Sequence, residues 1–297
     1  MNTPRLLLYL IACLLAFPLY SFQSKHLNFV HIGLKEGLSH NTVFDIVQDR
    51  DGYIWVATKN GLNRYNGYNF TTYHHDEEDS CSIGSDYIRA CTIDLKGNVW
   101  LGTAAGLSLY DAERECFENF VCMTGEKLLS INGIVPLNEK RLLVYEIRKT
   151  MLLFDIESRS FLSDSFPAAL ATLAPQDILL HGDNLCIGTD RGVFLYSLSQ
   201  RTLKKLLSCE KGHKLFVRDI LLQDSNLLWV ATEGDGLFRI NLQTEEITHY
   251  IHRAEKKYSI SSDQLRSLAL DPQNRLWVGA INGLNIYNEQ EDDFHIY

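Results

Sequence analysis

Residues 51–65, DGYIWVATKNGLNRY, decide the fold. Asp51-Gly52 reads as a tight hairpin turn, because glycine takes the positive φ that such a turn demands. An apolar run from Ile54 to Ala57 follows, then Thr58, a second turn carrying Gly61, and Leu62 to Tyr65. Upstream, TVFDIVQD at 42–49 alternates apolar and polar residues, and NFTTY at 69–73 closes the stretch, so the unit holds four short strands.

The pattern recurs. GNVWLGTAAGLSLY at 97–110 and NRLWVGAINGLNIY at 274–287 repeat it, and Trp229 anchors another copy. Two degenerate copies lie between: KRLLVYEIRKTMLLF at 140–154 puts Leu143 in the tryptophan position, and DNLCIGTDRGVFLY at 183–196 puts Cys186 there. Trp55, Trp100, Leu143, Cys186, Trp229 and Trp277 then mark six repeats at intervals of 45, 43, 43, 43 and 48 residues. That period fits propeller blades or helical repeats, and four strands with glycine turns per repeat select the blade. The reading is an all-β chain, a β-propeller of four-stranded blades. One blade cannot bury both its faces, so the unit is repeated until a ring forms. The tryptophans suit the wedge between neighbouring blades. Cys186, in a tryptophan position, is expected to be buried and inert.

Composition narrows the class. The chain has 297 residues, 45% hydrophobic and 22% charged, as in an ordinary globular protein. A net charge of −9, with no cluster of Lys and Arg, argues against a nucleic-acid or anionic-membrane surface. Residues 1–24 combine Arg5, an apolar stretch from Leu6 to Leu19 and small polar residues at Ser21 and Ser24, the pattern of a secretory signal peptide. The expected division is therefore signal peptide 1–24 and propeller 25–297, with the mature chain in the periplasm. Export permits disulfides, but spacing leaves the state of Cys81, Cys91, Cys116 and Cys122 open.

GLSHNTVFDIVQD at 37–49 followed by DGYIWVATKNGLNRY resembles the two-component regulator propeller repeat. The carriers are Gly37-Leu38-Ser39-His40-Asn41, Trp-x-Ala/Gly-Thr in the second strand and Gly-Leu-x-x-Tyr in the third. The resemblance implies the sensor region of a hybrid histidine kinase, which senses oligosaccharides and controls transcription of glycan-use genes. It also implies more chain: further repeats, a β-sandwich, a membrane helix, and kinase, receiver and DNA-binding domains. The 297 residues thus read as an amino-terminal part that binds a ligand without signalling, has no catalytic activity, meets the membrane only through a downstream helix, and pairs as a homodimer as sensor kinases do. Two closures are compatible with the repeats. Asn28-Phe29-Val30-His31 reads as the same outer-strand type as Phe294 to Tyr297, so one terminal strand could complete a closed six-bladed ring. The other closure is an incomplete seven-bladed ring.

Ligand contacts are expected where the loops between blades meet the turns between second and third strands, on one end of the ring. The candidates are Lys59, Asn60, His74, His75, Asp76, Tyr87, Asp190, Arg191, Glu233, Asp235 and Asn282. Polar turns around an axial mouth, with Tyr87 for stacking, suit a hydroxyl-rich ligand. The loop HHDEEDSCSIGSDY at 74–87 offers His and acidic side chains, but its spacing fits neither a zinc motif nor an EF-hand, and the equivalent loop IHRAEKKYSISSDQ at 251–264 is basic. No metal or cofactor is expected. Competing classes are a propeller lyase or hydrolase, for which His40 or His213 would have to reach the axis, and a protein-binding propeller. GxSxG, HExxH, P-loop and dinucleotide motifs are absent from the sequence.

Overall fold

The computed structural model describes residues 28–124, 127–162, 170, 172–208 and 213–297; the expected signal peptide lies outside them. The chain divides into Met1–Ile32 and Gly33–Tyr297. In the first unit, Asn28 to Ile32 hold no strand. The outer strand expected at Asn28–His31 is therefore not formed, and no sheet needs it. Each of six sheets takes all four strands from its own repeat, the last ending with Asp293–Ile296.

The second unit is a six-bladed β-propeller of four-stranded antiparallel sheets. Blade 1 runs Val43–Gln48, Ile54–Thr58, Leu62–Tyr65 and Phe70–Tyr73, paired in chain order, and the other five repeat that order. The six inner strands, Val43–Gln48, Ile88–Ile93, Gly133–Asn138, Pro175–His181, Val217–Gln223 and Leu265–Leu270, stand around the axis. A short extra ribbon, Met123–Thr124 with Lys127–Leu128, lies between blades 2 and 3.

The repeated residues build the blades as their chemistry dictates. Asp49 accepts hydrogen bonds from the Asp51 and Tyr53 amides and from the Trp55 indole (2.7 Å), which closes the first hairpin and fixes the ring. Asp94 and Trp100, Gln223 and Trp229, and Asp271 and Trp277 repeat the bond at 2.8–2.9 Å. The hydroxyls of Thr58, Thr103, Thr189 and Thr232 donate to the carbonyls of Gly61, Gly106, Gly192 and Gly236 across the next turn. Gly192, at φ +118°, shows why the turn needs glycine: a Cβ there would collide with the Leu207 carbonyl.

Five apolar clusters seal successive pairs of blades, from blades 1 and 2 through blades 5 and 6. Trp55, Trp100 and Trp229 are each at most 1% exposed in these wedges, and Leu143 and Cys186 are as deeply buried in the same position. Cys186 is free, and burial pushes its thiol up to about 12. Among the described residues no such cluster joins blade 6 to blade 1. Trp277 is only half-buried, and Ile46, whose counterparts Cys91, Ile134, Ile178, Ile220 and Leu268 are all buried, is 58% exposed. We call this joint the seam.

A disulfide joins Cys81, in the loop after blade 1, to Cys116 at the start of the outer strand of blade 2. Cys91 and Cys122 are free and buried.

Candidate functional site

The inner strands carry a bulge near their start. The ladder to the second strand shifts register between Val43 and Asp45, Ile88 and Ala90, Pro175 and Asp177, Val217 and Asp219, and Leu265 and Ser267. A bulge leaves one residue out of the ladder and re-aims its side chain. Those residues are Phe44, Arg89, Gln176, Arg218 and Arg266, and Asn132 takes the corresponding place just before the inner strand of blade 3. All six line one axial cavity of about 830 Å³, within the range of small-ligand sites.

Three of these side chains are arginines, on a chain whose net charge is −9. Arg218 pairs with Glu233, and Arg266 Nη1 lies 3.2 Å from the same carboxylate. Burial alone would raise the Glu233 carboxyl, but the two guanidinium groups hold it below its usual value. Arg89 has no carboxylate partner among the described residues. Its guanidinium lies 4.5 Å from the Phe44 ring centroid and 3.5 Å from the Tyr87 hydroxyl, and Phe44 packs on Tyr87 at 5.2 Å. Gln176 is 7% exposed, and its Nε2 is buried without an acceptor. Such an orphan donor costs about 1–3 kcal/mol.

One residue deeper, the equivalent positions are Asp45, Ala90, Gly133, Asp177, Asp219 and Ser267. Each aspartate staples its inner strand to the next: Asp45 accepts from the Cys91 amide at 2.9 Å, Asp177 from Ile220 at 2.8 Å and Asp219 from Leu268 at 2.7 Å. These bonds satisfy backbone donors that face the axis with no strand beyond them. In blade 3, Gly133 leaves room for Tyr145, whose hydroxyl donates to Asp177 at 3.1 Å. Burial raises all three carboxyls. At Asp219 the hydrogen-bonded Asp177 charge adds to the effect of burial. Ser267 replaces the staple in blade 6, and the Ile46 amide instead donates to its own neighbour Asp45 at 2.8 Å.

The residues expected from sequence sit on this end of the ring. The backbone ties their turns to the approaches of the inner strands, as in Gly61 N to Asp86 O (2.8 Å), Glu233 N to Phe216 O (2.8 Å) and Ile281 N to Gln264 O (3.2 Å). None of them lines the axial cavity. Glu233 and Tyr87 come nearest, by touching Arg218, Arg266, Arg89 and Phe44. Lys59 and Asn60 are exposed turn residues. Asp190 lies 3.3 Å from Lys214 and 3.8 Å from Arg191. Asp235 meets His213 Nε2 at 2.7 Å, and Asn282 donates to the Ser261 carbonyl at 3.0 Å.

His74, His75 and Asp76 belong to the internal frame of their loop. His75 Nδ1 lies 2.7 Å from the Ile83 carbonyl, its amide donates to Asp86, and the Asp76 amide donates to Ser82. His74 Nδ1 is 3.2 Å from Asp86. The basic loop at 251–264 has the same frame: His252 Nδ1 to the Ile260 carbonyl at 2.8 Å, the His252 amide to Asp263, and the Arg253 amide to Ser259. A shared His-x6-Ser-Ile-x-Ser-Asp spacing builds both, so the acidic run of one and the basic run of the other are its outer dressing. Among the described residues no group of His, Cys, Asp and Glu is placed to hold a metal ion. His40 Nδ1 accepts from the Thr42 amide at 2.8 Å, and neither it nor His213 lines the axial cavity.

Sequence reasoning missed the ring of Phe44, Arg89, Asn132, Gln176, Arg218 and Arg266. The available signal was three arginines in one register position, immediately before the Asp45 position of each first strand.

Fold and mouth together define a six-bladed β-propeller with a polar axial cavity. Residues 37–60 match the family model described as two component regulator propeller. A 72-residue stretch is 40% identical to histidine kinase P4 of Formosa agariphila, covering 24% of this chain and 5% of that protein. The extracellular domain of the putative one component system BT4673 from B. thetaiotaomicron superposes with a TM-score of 0.67 at 21% identity, over 86% of this chain and 33% of that one. The virginiamycin B lyase of Staphylococcus aureus shares the fold with a TM-score of 0.65 at 14% identity, over 86% of this chain and 84% of the lyase. The chain thus spans a small part of the kinase and about a third of that extracellular domain.

Proposed function

We propose that this chain is the exported, non-catalytic ligand-sensing propeller of a two-component sensor, that it binds an oligosaccharide at the axial mouth, and that in a longer protein this binding controls a histidine kinase and the transcription of glycan-use genes. The observation that carries the reading is the cavity of about 830 Å³ ringed by side chains in equivalent positions of the six blades, five of them polar, on a scaffold whose first repeat matches the regulator propeller. Support for export comes from the Cys81–Cys116 disulfide, a bond that persists in oxidising compartments. The identity to a histidine kinase supports the signalling context, with a homodimer as the expected working form.

The test is thermal unfolding of the chain without residues 1–24, against a panel of neutral and acidic glycans. Only a ligand that prefers the folded state raises the midpoint, by about 5 °C at a hundredfold excess over Kd. The Arg89→Gln variant should about halve that shift for an acidic glycan while keeping its unliganded midpoint. A folded, cooperative chain that no glycan shifts overturns the oligosaccharide reading. Turnover of a glycan by the purified chain overturns the non-catalytic one.

A further inference from the structure

We propose that the axial mouth selects an acidic ligand, and that Arg89, Arg218 and Arg266 with Gln176 hold a carboxylate or sulfate group carried on a sugar. The inference rests on the oligosaccharide reading above and adds the ligand's charge. Four observations carry it. The three arginines occupy one register position of blades 2, 5 and 6 and line one cavity. Among the described residues their one ion-pair partner is Glu233, which pairs with Arg218 and Arg266 together, so that pair keeps one positive charge in excess. Arg89 adds a second, held on the faces and edges of Phe44 and Tyr87 and not by an acid. Gln176 presents a buried Nε2 with no acceptor, in the wall of the same cavity.

The geometry divides the labour between the two levels of the channel. The deeper aspartates are committed to backbone amides of the next blade, so the staples leave the arginines and Gln176 as the donors at the mouth. Guanidinium groups offer paired donors that match the planar oxygens of a carboxylate or the face of a sulfate. Phe44 and Tyr87, beside Arg89, supply an aromatic surface for the adjoining sugar ring.

Calorimetric titration of the folded chain tests this with matched pairs. Tetragalacturonate is compared with its methyl ester, and a sulfated galactan tetrasaccharide with its desulfated form. Either acidic sugar should bind at least tenfold tighter than its neutral partner, with an affinity that falls as salt rises; which of the two does so identifies carboxylate or sulfate as the group held. Arg89→Gln, and Arg218→Gln with Arg266→Gln, should each remove about tenfold of the acidic affinity and leave the neutral partner unchanged. Gln176→Leu should weaken the acidic sugar although it removes an orphan donor. Circular dichroism and the unliganded midpoint verify folding of each variant. Equal binding of charged and neutral forms, or an unchanged ratio in the arginine variants, overturns the inference and leaves the oligosaccharide reading standing. Arginine-dependent binding of inorganic sulfate or methyl glucuronide, with no oligosaccharide bound, supports the anion site and overturns the oligosaccharide reading. A folded chain that binds none of these probes overturns both.

Discussion

Blades 5 and 6 meet through a sealed wedge, and blades 6 and 1 meet at the same tryptophan position with the opposite outcome. In the sealed joint Trp229 is fully buried against Ile260, Leu265, Leu268 and Phe294. Arg239 lies 5.6–5.9 Å from the centroids of Trp229, Tyr250 and Tyr287, and bonds the Tyr287 hydroxyl at 2.6 Å. Blades 1 and 2 reproduce the arrangement with Arg64, Trp55, Tyr73 and Tyr110. At the seam Trp277 stacks on Tyr297 at 6.5 Å, its cross-strand neighbour is Ile286 where the joints of blades 1–2 and 5–6 have arginine, and Ile46 stays exposed. A repeat fixes the residue, whereas burial depends on what the next blade brings to it.

The largest expected effect separates the two joints directly. Trp229→Ala should lower stability by about 3–5 kcal/mol, the cost of emptying a packed aromatic site. Trp277→Ala should cost less than half of that, since half-burial leaves less contact to lose. Urea denaturation measures both, and equal costs would mean that the seam is sealed in solution. Next comes the Cys81–Cys116 bond, which anchors the loop before blade 2 to that blade's outer strand. It closes a 35-residue loop, so the double serine variant should lose about 3–4 kcal/mol. Ile220→Ala and Ile46→Ala sharpen the first comparison with equivalent aliphatics: about 2–4 kcal/mol in the sealed wedge and under about 1 kcal/mol at the seam.

The smallest effect contrasts axial and peripheral acids by the sign of their pH dependence. Asp45, Asp177 and Asp219 have folded pKa values above the unfolded one near 3.8, so their contribution to stability is full below that value and is lost as pH rises through the raised pKa. Asp271 goes the other way. Burial alone would raise it, but the Trp277 indole and the Arg275 backbone and side chain pull it down to about 2, so its contribution is present above 3.8 and fades as pH falls towards 2. Midpoints recorded from pH 3 to 8 should show Asp219→Asn flattening the fall towards neutral pH and Asp271→Asn flattening the fall towards acid. The same slope change in both variants would refute the assignment.

The blades were legible in the sequence because their markers are local. Trp55, Asp49, Gly52, Thr58 and Gly61 act within one hairpin or the next, so a single repeat displays the whole rule, and Leu143 and Cys186 could be placed by spacing alone. The mouth was less legible for the opposite reason. Phe44, Arg89, Asn132, Gln176, Arg218 and Arg266 share a position and not a chemistry, and a reading anchored on what recurs passes over the place where repeats differ. Loop composition misdirected attention to His74, His75 and Asp76, whose charges hide a frame that residues 252–263 build with other side chains. The Cys81–Cys116 pairing and the exposure of Ile46 depend on contacts between repeats, and no window of one repeat contains them.

The seam gives the ring a mechanical character. Five joints are held by apolar wedges, and aspartate staples reinforce three of them; the joint between blades 6 and 1 has Ser267 in place of a staple. A change in circumference therefore gathers at one compliant joint, with no strand ladder broken elsewhere. Arg266 stands on one side of that joint and Phe44 on the other, so the width of the gap sets the span between them.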